Sequence, residues 1–281
     1  MTGFKGGRVD PQVYRQHAKR LLDGGVDYVF AMGSTGLGPT LSFEERKVCV
    51  DALAEFGERA ICQVGSLNLD ESVELAELAK ARGFRYISVL PPYYFPRLKD
   101  ETMVRYFAKV SSVHPTILYN FPLATGYDIS PAVVKEANEK GGKIVGVKDT
   151  VADVSHMLNF KWELGSEFLV FCGPDPLVLP ALNSGLDGAV AGSGNYIPNI
   201  FGALLREAAT EKGLRLQKTM TQAAKVAQKF GQWSANHSLV KLVKGYDPGP
   251  PRPPIYPLSA EEEKELGSEI RTVLPDGDSP G

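Results

Sequence analysis

Residues 143–150 of the chain read Lys143-Ile144-Val145-Gly146-Val147-Lys148-Asp149-Thr150. A short run of β-branched and small apolar residues is typical of a strand that is buried in a parallel sheet. Lys148 closes the apolar run, so we expect its amine to project from the strand end into a partly desolvated place. Desolvation disfavours an ammonium group and leaves a nucleophilic amine that can condense with a ketone. A lysine that extends from the strand end to solvent is the alternative.

Further strand-like runs lie on both sides of this stretch and alternate with amphipathic helical segments. All the predicted strands, including this one, are residues 27–31, 60–64, 86–90, 116–120, 144–147, 168–172 and 187–191. Helical patterns separate them, for example residues 43–56 after Ser42 and residues 70–81. This alternation predicts a parallel sheet with right-handed crossover connections.

The predicted strands number seven, and a helix at residues 11–23 precedes them without a strand of its own. A (β/α)8 TIM barrel needs eight strands, and residues 1–10, with Gly6-Gly7, leave little room for the first. An open doubly wound sheet is therefore the alternative. Polar motifs follow nearly every strand, which favours the barrel because its site collects residues from many strand ends.

The predicted fold class is α/β, a (β/α)8 TIM barrel over residues 1–198 whose first strand is apparently truncated. A C-terminal helical extension follows over residues 199–274, interrupted by a proline-rich extended segment at residues 248–257. Residues 275–281 are expected to be a disordered tail.

Composition and charge narrow the classes of function. The 281 residues are 43% hydrophobic and 23% charged, with a formal net charge of −2, which gives no reason to expect nucleic acid or an anionic membrane as partner. No signal peptide or membrane-spanning run is visible, so a soluble, cytoplasmic protein is expected. Neither a disulfide framework nor a metal site is indicated, because the cysteines and histidines are scattered. Of Cys49, Cys62 and Cys172, the last two lie in apolar runs and are expected to be small core residues. The histidines are assigned to the surface or to ordinary packing; they are His17, His114, His156 and His237.

A glycine-rich loop follows the strand at residues 27–31 and reads Gly33-Ser34-Thr35-Gly36-Leu37-Gly38. Its backbone N–H groups and the Ser34 and Thr35 hydroxyls suit a carboxylate or a phosphate. The spacing matches neither the P-loop nor the dinucleotide fingerprint. A plain glycine turn remains the alternative.

Tyr119 stands near the end of the strand that precedes the Lys148 strand. Neighbouring strands lie about 4.8 Å apart, so a phenol and an amine could face the same reacting carbon, with the phenol transferring protons. A core tyrosine with a satisfied hydroxyl is the alternative.

Other strand ends carry weaker signals of the same kind. An aromatic, proline-rich loop at residues 91–97 could line a site or a subunit interface, or be a buried aromatic cluster. Gly173-Pro174-Asp175 adds a polar group, and residues 188–195 are small enough to leave space for a ligand.

Taken together, these motifs resemble the dihydrodipicolinate synthase and N-acetylneuraminate lyase superfamily of class I aldolases, and within it the archaeal 2-keto-3-deoxygluconate (KDG) aldolases. The matches run in order over about residues 8–266. Beyond the motifs already quoted, they include Tyr119-Asn120-Phe121-Pro122, Pro92-Tyr93-Tyr94, Leu186-Asp187-Gly188 and Gly245-Tyr246-Asp247.

The resemblance implies a role for each candidate residue. Lys148 would form a Schiff base with the ketone of a 2-keto acid, Tyr119 would move the proton of the C4 hydroxyl, and Ser34 would join the proton relay. Ser34 and Thr35 would hold the substrate carboxylate, and Tyr94 would reach a neighbouring subunit's site. The residues implied to lie near the polyol tail are Thr150, Gly173, Asp175 and Ala191. Separately from the resemblance, Arg97 is a candidate contact for a substrate phosphate.

The resemblance also implies that no metal or organic cofactor is needed, that the protein is a homotetramer (a dimer of dimers), and that it acts in the Entner-Doudoroff pathway. The expected reaction is reversible cleavage of KDG, its 6-phosphate or its C4 epimer to pyruvate and glyceraldehyde or its 3-phosphate. The alternatives are another pyruvate-dependent reaction of the superfamily, such as that of dihydrodipicolinate synthase or a sugar-acid dehydratase, and a non-catalytic keto-acid-binding relative.

Overall fold

The structure is a computed structural model that describes residues 1–274. The tail expected to be disordered, residues 275–281, lies outside the described residues. The chain divides into two compact units. The middle unit is Ala54–Val190, and the terminal unit combines Met1–Leu53 with the chain from Ala191 onward. No helix within residues 1–274 is both long and apolar enough to cross a membrane.

The terminal unit begins with a small hairpin. Its first elements are β1 (Phe4–Lys5), β2 (Arg8–Val9), α1 (Pro11–Asp23), β3 (Val29–Ala31) and α2 (Phe43–Ala52). Strands β1 and β2 pair antiparallel, and Gly6 and Gly7 turn the chain between them with φ of 57° and 74°. Those positive φ values suit glycine. Residues 4–9, where a truncated first barrel strand was expected, therefore form a hairpin.

The middle unit alternates strands and helices. They are β4 (Ala60–Gln63), α3 (Leu69–Ala81), β5 (Tyr86–Val89), α4 (Asp100–Ser111), β6 (Thr116–Asn120), α5 (Pro122–Thr125), α6 (Pro131–Glu139), β7 (Ile144–Asp149), α7 (Val154–Leu164), β8 (Leu169–Cys172), α8 (Val178–Asn183) and β9 (Gly188–Ala189). Strands β4 to β9 pair in chain order, each parallel to the next. Their carboxyl ends therefore meet at one edge of the sheet.

The terminal unit is completed by helices. These are α9 (Pro198–Arg206), α10 (Glu211–Lys229), α11 (Gln232–Lys244) and α12 (Ala260–Val273). The proline-rich segment at residues 248–257 contains no helix or strand. It is held by a backbone hydrogen bond from Phe4 to Pro248 and by an ion pair of 2.6 Å between Arg252 and Glu45.

Every predicted strand is present, with changes at the ends. Strand β7 continues two residues past the predicted end because Lys148 and Asp149 keep register partners on both neighbouring strands. The helix predicted over residues 43–56 ends earlier, at Ala52, and a 3₁₀ turn follows at Ala54–Arg59. Gly57 in that turn lies against the backbone of Gly83, where a Cβ would come within 2.6 Å of the carbonyl oxygen.

Candidate active site

Lys148 and Tyr119 lie side by side on parallel strands of the middle unit. They are register partners on β7 and β6. Both side chains are buried, with 8% of Lys148 and 3% of Tyr119 exposed. The Lys148 ε-nitrogen lies 4.0 Å from the centroid of the Tyr119 ring. The lysine therefore does not extend into solvent, and its amine lies against the aromatic ring.

Backbone contacts hold the ends of these strands together. The Thr150 N–H and hydroxyl both donate to the Asn120 carbonyl oxygen, at 3.0 and 2.8 Å. The Gly173 N–H donates to the Asp149 carbonyl oxygen at 2.7 Å. A Cβ on Gly173 would lie 2.6 Å from the Thr150 methyl carbon and 2.8 Å from the Asp149 carbonyl oxygen. Glycine is required at position 173 because the segment after β8 approaches the end of β7 so closely.

A network of side chains joins the residues that directly follow Tyr119 and Lys148. The Asn120 amide nitrogen donates to Asp128 at 2.7 Å and to Asp149 at 3.1 Å. The two ring nitrogens of His156 lie 2.6 Å from Asp149 Oδ2 and 3.2 Å from Asp128 Oδ2. We call Asn120, Asp128, Asp149 and His156 the strand-end network; its four members form a closed ring of contacts.

Burial shifts the pKa of Asp149 in one direction and the neighbouring polar groups shift it in the other, and the same holds for His156. Burial raises the pKa of Asp149 above its usual value, and hydrogen bonds from the Val151 N–H, His156 and Asn120 offset only part of that effect. For His156, burial alone would lower the pKa. The hydrogen bond and charge of Asp149, together with the charge of Asp128, outweigh burial and raise the pKa of His156. The imidazolium form is therefore favoured between the two carboxylates.

The strand-end network is the part of the site that the sequence did not reveal. His156 was assigned to the surface or to ordinary packing, whereas in the structure it bridges two carboxylates. Asn120 and Asp149 are 29 residues apart, and no motif or period connects them to Asp128. The only sequence signal is that polar residues directly follow both Tyr119 and Lys148.

Ser34 and Thr35 belong to the terminal unit, in the glycine-rich loop after β3. The loop turns back on itself, with the Gly38 N–H donating to the Gly33 carbonyl oxygen at 3.1 Å. Both hydroxyl residues are half-buried. A Cβ on Gly192 would lie 3.4 Å from the Thr35 hydroxyl oxygen, so the segment containing Ala191 lies beside this loop. The glycine-rich loop with Ser34 and Thr35 and the segment with Ala191 are thus brought together.

The other predicted residues of the middle unit differ in exposure. Tyr94 is 72% exposed and meets Phe95 edge to face, with ring centroids 5.3 Å apart. Arg97 is exposed and has a φ of 62°, which is unusual for a residue with a side chain. Asp175 is half-buried at the start of a 3₁₀ turn after β8. The structure does not bury the aromatic loop, so its rings are available for contact.

Cys172 ends β8 beside Asp149, its register partner on β7. Its thiol lies 3.5 Å from the Pro174 carbonyl oxygen. Burial, together with the charges of Asp175 and Asp149, raises the pKa of the Cys172 thiol to about 12. The thiol is therefore not a nucleophile near neutral pH. Within residues 1–274, no group of three or more His, Cys, Asp or Glu side chains could hold a metal ion.

Parallel strands alternating with helices, and a buried lysine beside a tyrosine at the carboxyl edge, define an α/β protein with a candidate imine-forming amine. The chain belongs to the dihydrodipicolinate synthetase family, whose model matches residues 2–273. The resemblance seen in the sequence motifs is thus confirmed.

Curated relatives are similar over nearly the whole chain. One from Sulfurisphaera tokodaii, named 2-dehydro-3-deoxy-phosphogluconate/2-dehydro-3-deoxy-6-phosphogalactonate aldolase, is 40% identical over 97% of this chain and 94% of its own. Another from Thermoproteus tenax, named 2-dehydro-3-deoxy-D-gluconate/2-dehydro-3-deoxy-phosphogluconate aldolase, is 39% identical over 96% of this chain and 88% of its own.

Solved structures of similar proteins have the same fold as this chain. The crystal structure of KD(P)GA from T. tenax has a TM-score of 0.91 at 38% identity, covering 97% of this chain and 96% of its own. The KDG aldolase of Sulfolobus in complex with D-KDPG also has a TM-score of 0.91 at 38% identity, covering 97% and 94%. The chain therefore has the TIM-barrel-like fold of these proteins, as predicted, and the open doubly wound sheet is excluded.

Proposed function

We propose that the protein is a class I aldolase, a carbon–carbon lyase that cleaves KDG, its 6-phosphate or its C4 epimer reversibly to pyruvate and glyceraldehyde or glyceraldehyde 3-phosphate. The observation that carries the proposal is the buried Lys148 amine, 4.0 Å from the centroid of the buried Tyr119 ring. Relatives that are 39–40% identical to the chain are named as aldolases of 2-dehydro-3-deoxy sugar acids, which supports the choice of substrate.

The proposed reaction begins at Lys148. Its unprotonated amine attacks the C2 ketone of the sugar acid, the carbinolamine loses water, and an iminium ion forms. The iminium is the electron sink for the next step, so the proposal includes neither a metal nor an organic cofactor. Burial of the amine shields the iminium from premature hydrolysis.

Tyr119 acts in the second half of the proposed reaction. Its phenol oxygen, as phenolate, takes the proton of the C4 hydroxyl, the C3–C4 bond breaks, and the bonding electrons pass into the iminium to give an enamine. The aldehyde leaves. The enamine then takes up a proton at C3, and water hydrolyses the resulting imine to release pyruvate and the lysine amine.

The remaining candidate residues would recognise the substrate. Ser34 and Thr35 are proposed to bind its carboxylate, since hydroxyl and backbone N–H donors suit an anion, and Ser34 to take part in the proton relay. The small or polar residues proposed to lie near the polyol tail are Thr150, Gly173, Asp175 and Ala191.

Borohydride trapping tests the central claim. Incubation with pyruvate and borohydride should add the mass of the reduced pyruvate adduct, and peptide mapping should place it on Lys148. Lys148→Ala should abolish both trapping and cleavage. Lys143→Ala removes an exposed lysine near the start of the same strand and should change neither. Trapping that persists in Lys148→Ala would refute the Schiff base at this residue.

The choice between free and phosphorylated substrates rests on cationic side chains. Arg97 is exposed and is proposed to contact a phosphate. Lys229, on α10, is not proposed to contact the phosphate, because its amine is already paired with Glu265 at 2.9 Å and with Glu269. Side-by-side kinetics on KDG and its 6-phosphate should show that Arg97→Gln raises KM for the phosphorylated substrate alone. Equal changes for both substrates would remove Arg97 from phosphate recognition.

A second reaction type is favoured by other relatives. The chain is 32% identical to a 4-hydroxy-tetrahydrodipicolinate synthase of Thermus thermophilus over 94% of its length. Condensation of enzyme-bound pyruvate with aspartate semialdehyde would use the same imine, as would dehydration of a sugar acid. A substrate panel separates these reactions by product. Pyruvate-induced thermal stabilisation without any turnover would instead indicate a non-catalytic binding protein.

We also propose a homotetramer, a dimer of dimers, acting in the cytoplasm in the Entner-Doudoroff pathway. Tyr94 and Phe95 are 72% and 54% exposed, and Leu123 is 94% exposed. Large apolar side chains at such exposure suit a subunit contact, and Tyr94 is proposed to reach the neighbouring subunit's site. Analytical ultracentrifugation should show a tetramer, which Tyr94→Ser combined with Leu123→Ser should weaken.

A further inference from the structure

We propose that the strand-end network, Asn120, Asp128, Asp149 and His156, positions Tyr119 and Lys148 for the aldol step. The inference deepens the proposed function and rests on it. Its members are positioning residues, because they act through the two strands rather than by touching the reacting atoms.

The placement of the network on the strands carries the first part of the argument. Asn120 directly follows Tyr119, Asp149 directly follows Lys148, and the two pairs are matched in register on β6 and β7. Successive side chains of a strand point to opposite faces. Asn120 and Asp149 therefore point to the face opposite the phenol and the amine, where the Asn120 amide bonds Asp149 at 3.1 Å.

The network also ties these strand ends to their surroundings. Asp128 and Ile129 lie in the loop between α5 and α6, and His156 lies in the first turn of α7. The Ile129 N–H donates to the Asn120 side-chain oxygen at 3.0 Å. A loop and a helix thus hold the two strand ends from one side. Because small displacements of catalytic groups cost large factors in rate, such support should matter for turnover.

The charge on His156 carries the second part of the argument. Both ring nitrogens face carboxylate oxygens, and only the imidazolium has an N–H on each nitrogen. The charged groups acting on His156 are Asp149 on β7, Asp128 on the α5–α6 loop, and Asp153 at the start of its own helix. The N-terminus of a helix disfavours a cation, so these carboxylates are what stabilise it.

Two substitutions test the inference. His156→Gln removes the cation, and Asp128→Asn removes one negative charge and one of the two acceptor oxygens of that residue. The Asp128 side chain is 51% exposed, so at least the second variant should fold. We expect kcat for sugar-acid cleavage to fall about 10- to 100-fold with KM changed less than about 3-fold. Borohydride should still trap pyruvate on Lys148. Glu163 lies on the same helix as His156 and forms a surface ion pair with Lys135 of α6. Glu163→Gln is the matched control and should leave kcat unchanged.

The pH profile supplies a readout that a purely structural role would not move. The folded pKa of His156 lies above 6.5, so the contribution of the charged network is fully present below about pH 6.5 and is lost as pH rises through the folded pKa. The ratio of wild-type to His156→Gln kcat should therefore be largest near pH 6 and should shrink as pH rises through the folded pKa of His156. Glu163→Gln should give a flat ratio.

The outcomes separate this inference from the proposed function. Wild-type protein that neither traps pyruvate nor cleaves any sugar acid would overturn both. Wild-type cleavage with unchanged kcat in Asp128→Asn and His156→Gln would overturn the positioning role alone. A loss of kcat in proportion to a loss of folded protein, with a ratio to wild type that does not vary with pH, would also overturn it.

Discussion

Lys148 and Tyr119 are register partners on adjacent parallel strands, and the lysine nitrogen lies 4.0 Å from the centroid of the tyrosine ring. Their separation is set by the spacing of hydrogen-bonded strands, about 4.8 Å, and not by a loop. Groups held on strands are positioned more accurately than groups held on loops. The relationship therefore suits a reaction in which an amine and a phenol act on the same substrate.

Removal of the phenol oxygen should separate imine formation from bond cleavage. Tyr119→Phe keeps the ring beside Lys148 but removes the proton acceptor, so kcat for cleavage should fall by about 10²- to 10⁴-fold, while pyruvate is still trapped by borohydride. Tyr86→Phe, at the opposite end of a neighbouring strand, is the control and should keep wild-type activity. Cleavage by Tyr119→Phe within about 3-fold of wild type would exclude proton transfer by this residue.

A methyl group at position 173 should disturb the strand ends beside Lys148 while leaving the Lys148 and Tyr119 side chains themselves unchanged. In Gly173→Ala the Cβ would lie 2.6 Å from the Thr150 methyl carbon and 2.8 Å from the Asp149 carbonyl oxygen. Overpacking against backbone should lower the free energy of unfolding by about 1–3 kcal/mol and reduce kcat through the displaced strand end. Urea denaturation and steady-state kinetics measure the two effects, and an unchanged unfolding midpoint would contradict the close approach.

A glycine-to-alanine substitution in α12 should instead raise the free energy of unfolding. Gly267 lies in the helix interior, and a Cβ there would meet Arg271 and Leu242 at ordinary contact distances of 3.7 Å. Gly267→Ala should therefore raise the free energy of unfolding by about 0.5–1 kcal/mol, because alanine loses less backbone entropy on folding. The urea concentration at the unfolding midpoint again measures the effect. A lower midpoint for Gly267→Ala would show that there is no space for a methyl group at position 267.

The cysteines should be unreactive in the folded protein. Cys49, Cys62 and Cys172 are buried, and burial, with the charges of Asp175 and Asp149, raises the pKa of Cys172 to about 12. A thiol reagent at about pH 8 should titrate these thiols only after denaturation. Rapid labelling of Cys172 in the native protein, located by mass spectrometry, would mean that the end of β8 opens readily.

His237 should contribute to the loss of stability in acid. Burial lowers the pKa of His237 to about 4 from 6.5. A histidine with a depressed folded pKa contributes stability above about pH 6.5 that is lost as pH falls towards 4, up to about 3 kcal/mol at one site. His237→Gln should therefore lose less unfolding free energy than wild type between these pH values. Denaturant unfolding of both proteins across that pH range measures the difference. If the unfolding free energies of wild type and His237→Gln fell equally with pH, His237 would not be a source of the acid sensitivity.

Much of the fold could be predicted from local patterns. Alternating apolar and amphipathic segments report burial on a strand or one face of a helix, which is why all seven strands of the repeat and the helix Pro11–Asp23 were found. The chain start was harder, because two glycines allow a hairpin whose partners, Phe4 and Val9, carry no alternating pattern. The helix predicted over residues 43–56 ends at Ala52 instead, because its apolar spacing does not mark where an α-helix gives way to the 3₁₀ turn that follows.

The sequence by itself determined the strand–helix alternation, and it placed Lys148 and Tyr119 near the ends of consecutive strands, because parallel pairing in chain order makes consecutive strands neighbours. Only the tertiary structure decided that the amine lies over the phenol ring, and that Asn120, Asp128, Asp149 and His156 form one network. Periodicity reports which face of an element is buried. The hydrogen bonds of side chains depend on directions in space between elements distant in the chain, and no local pattern encodes those directions.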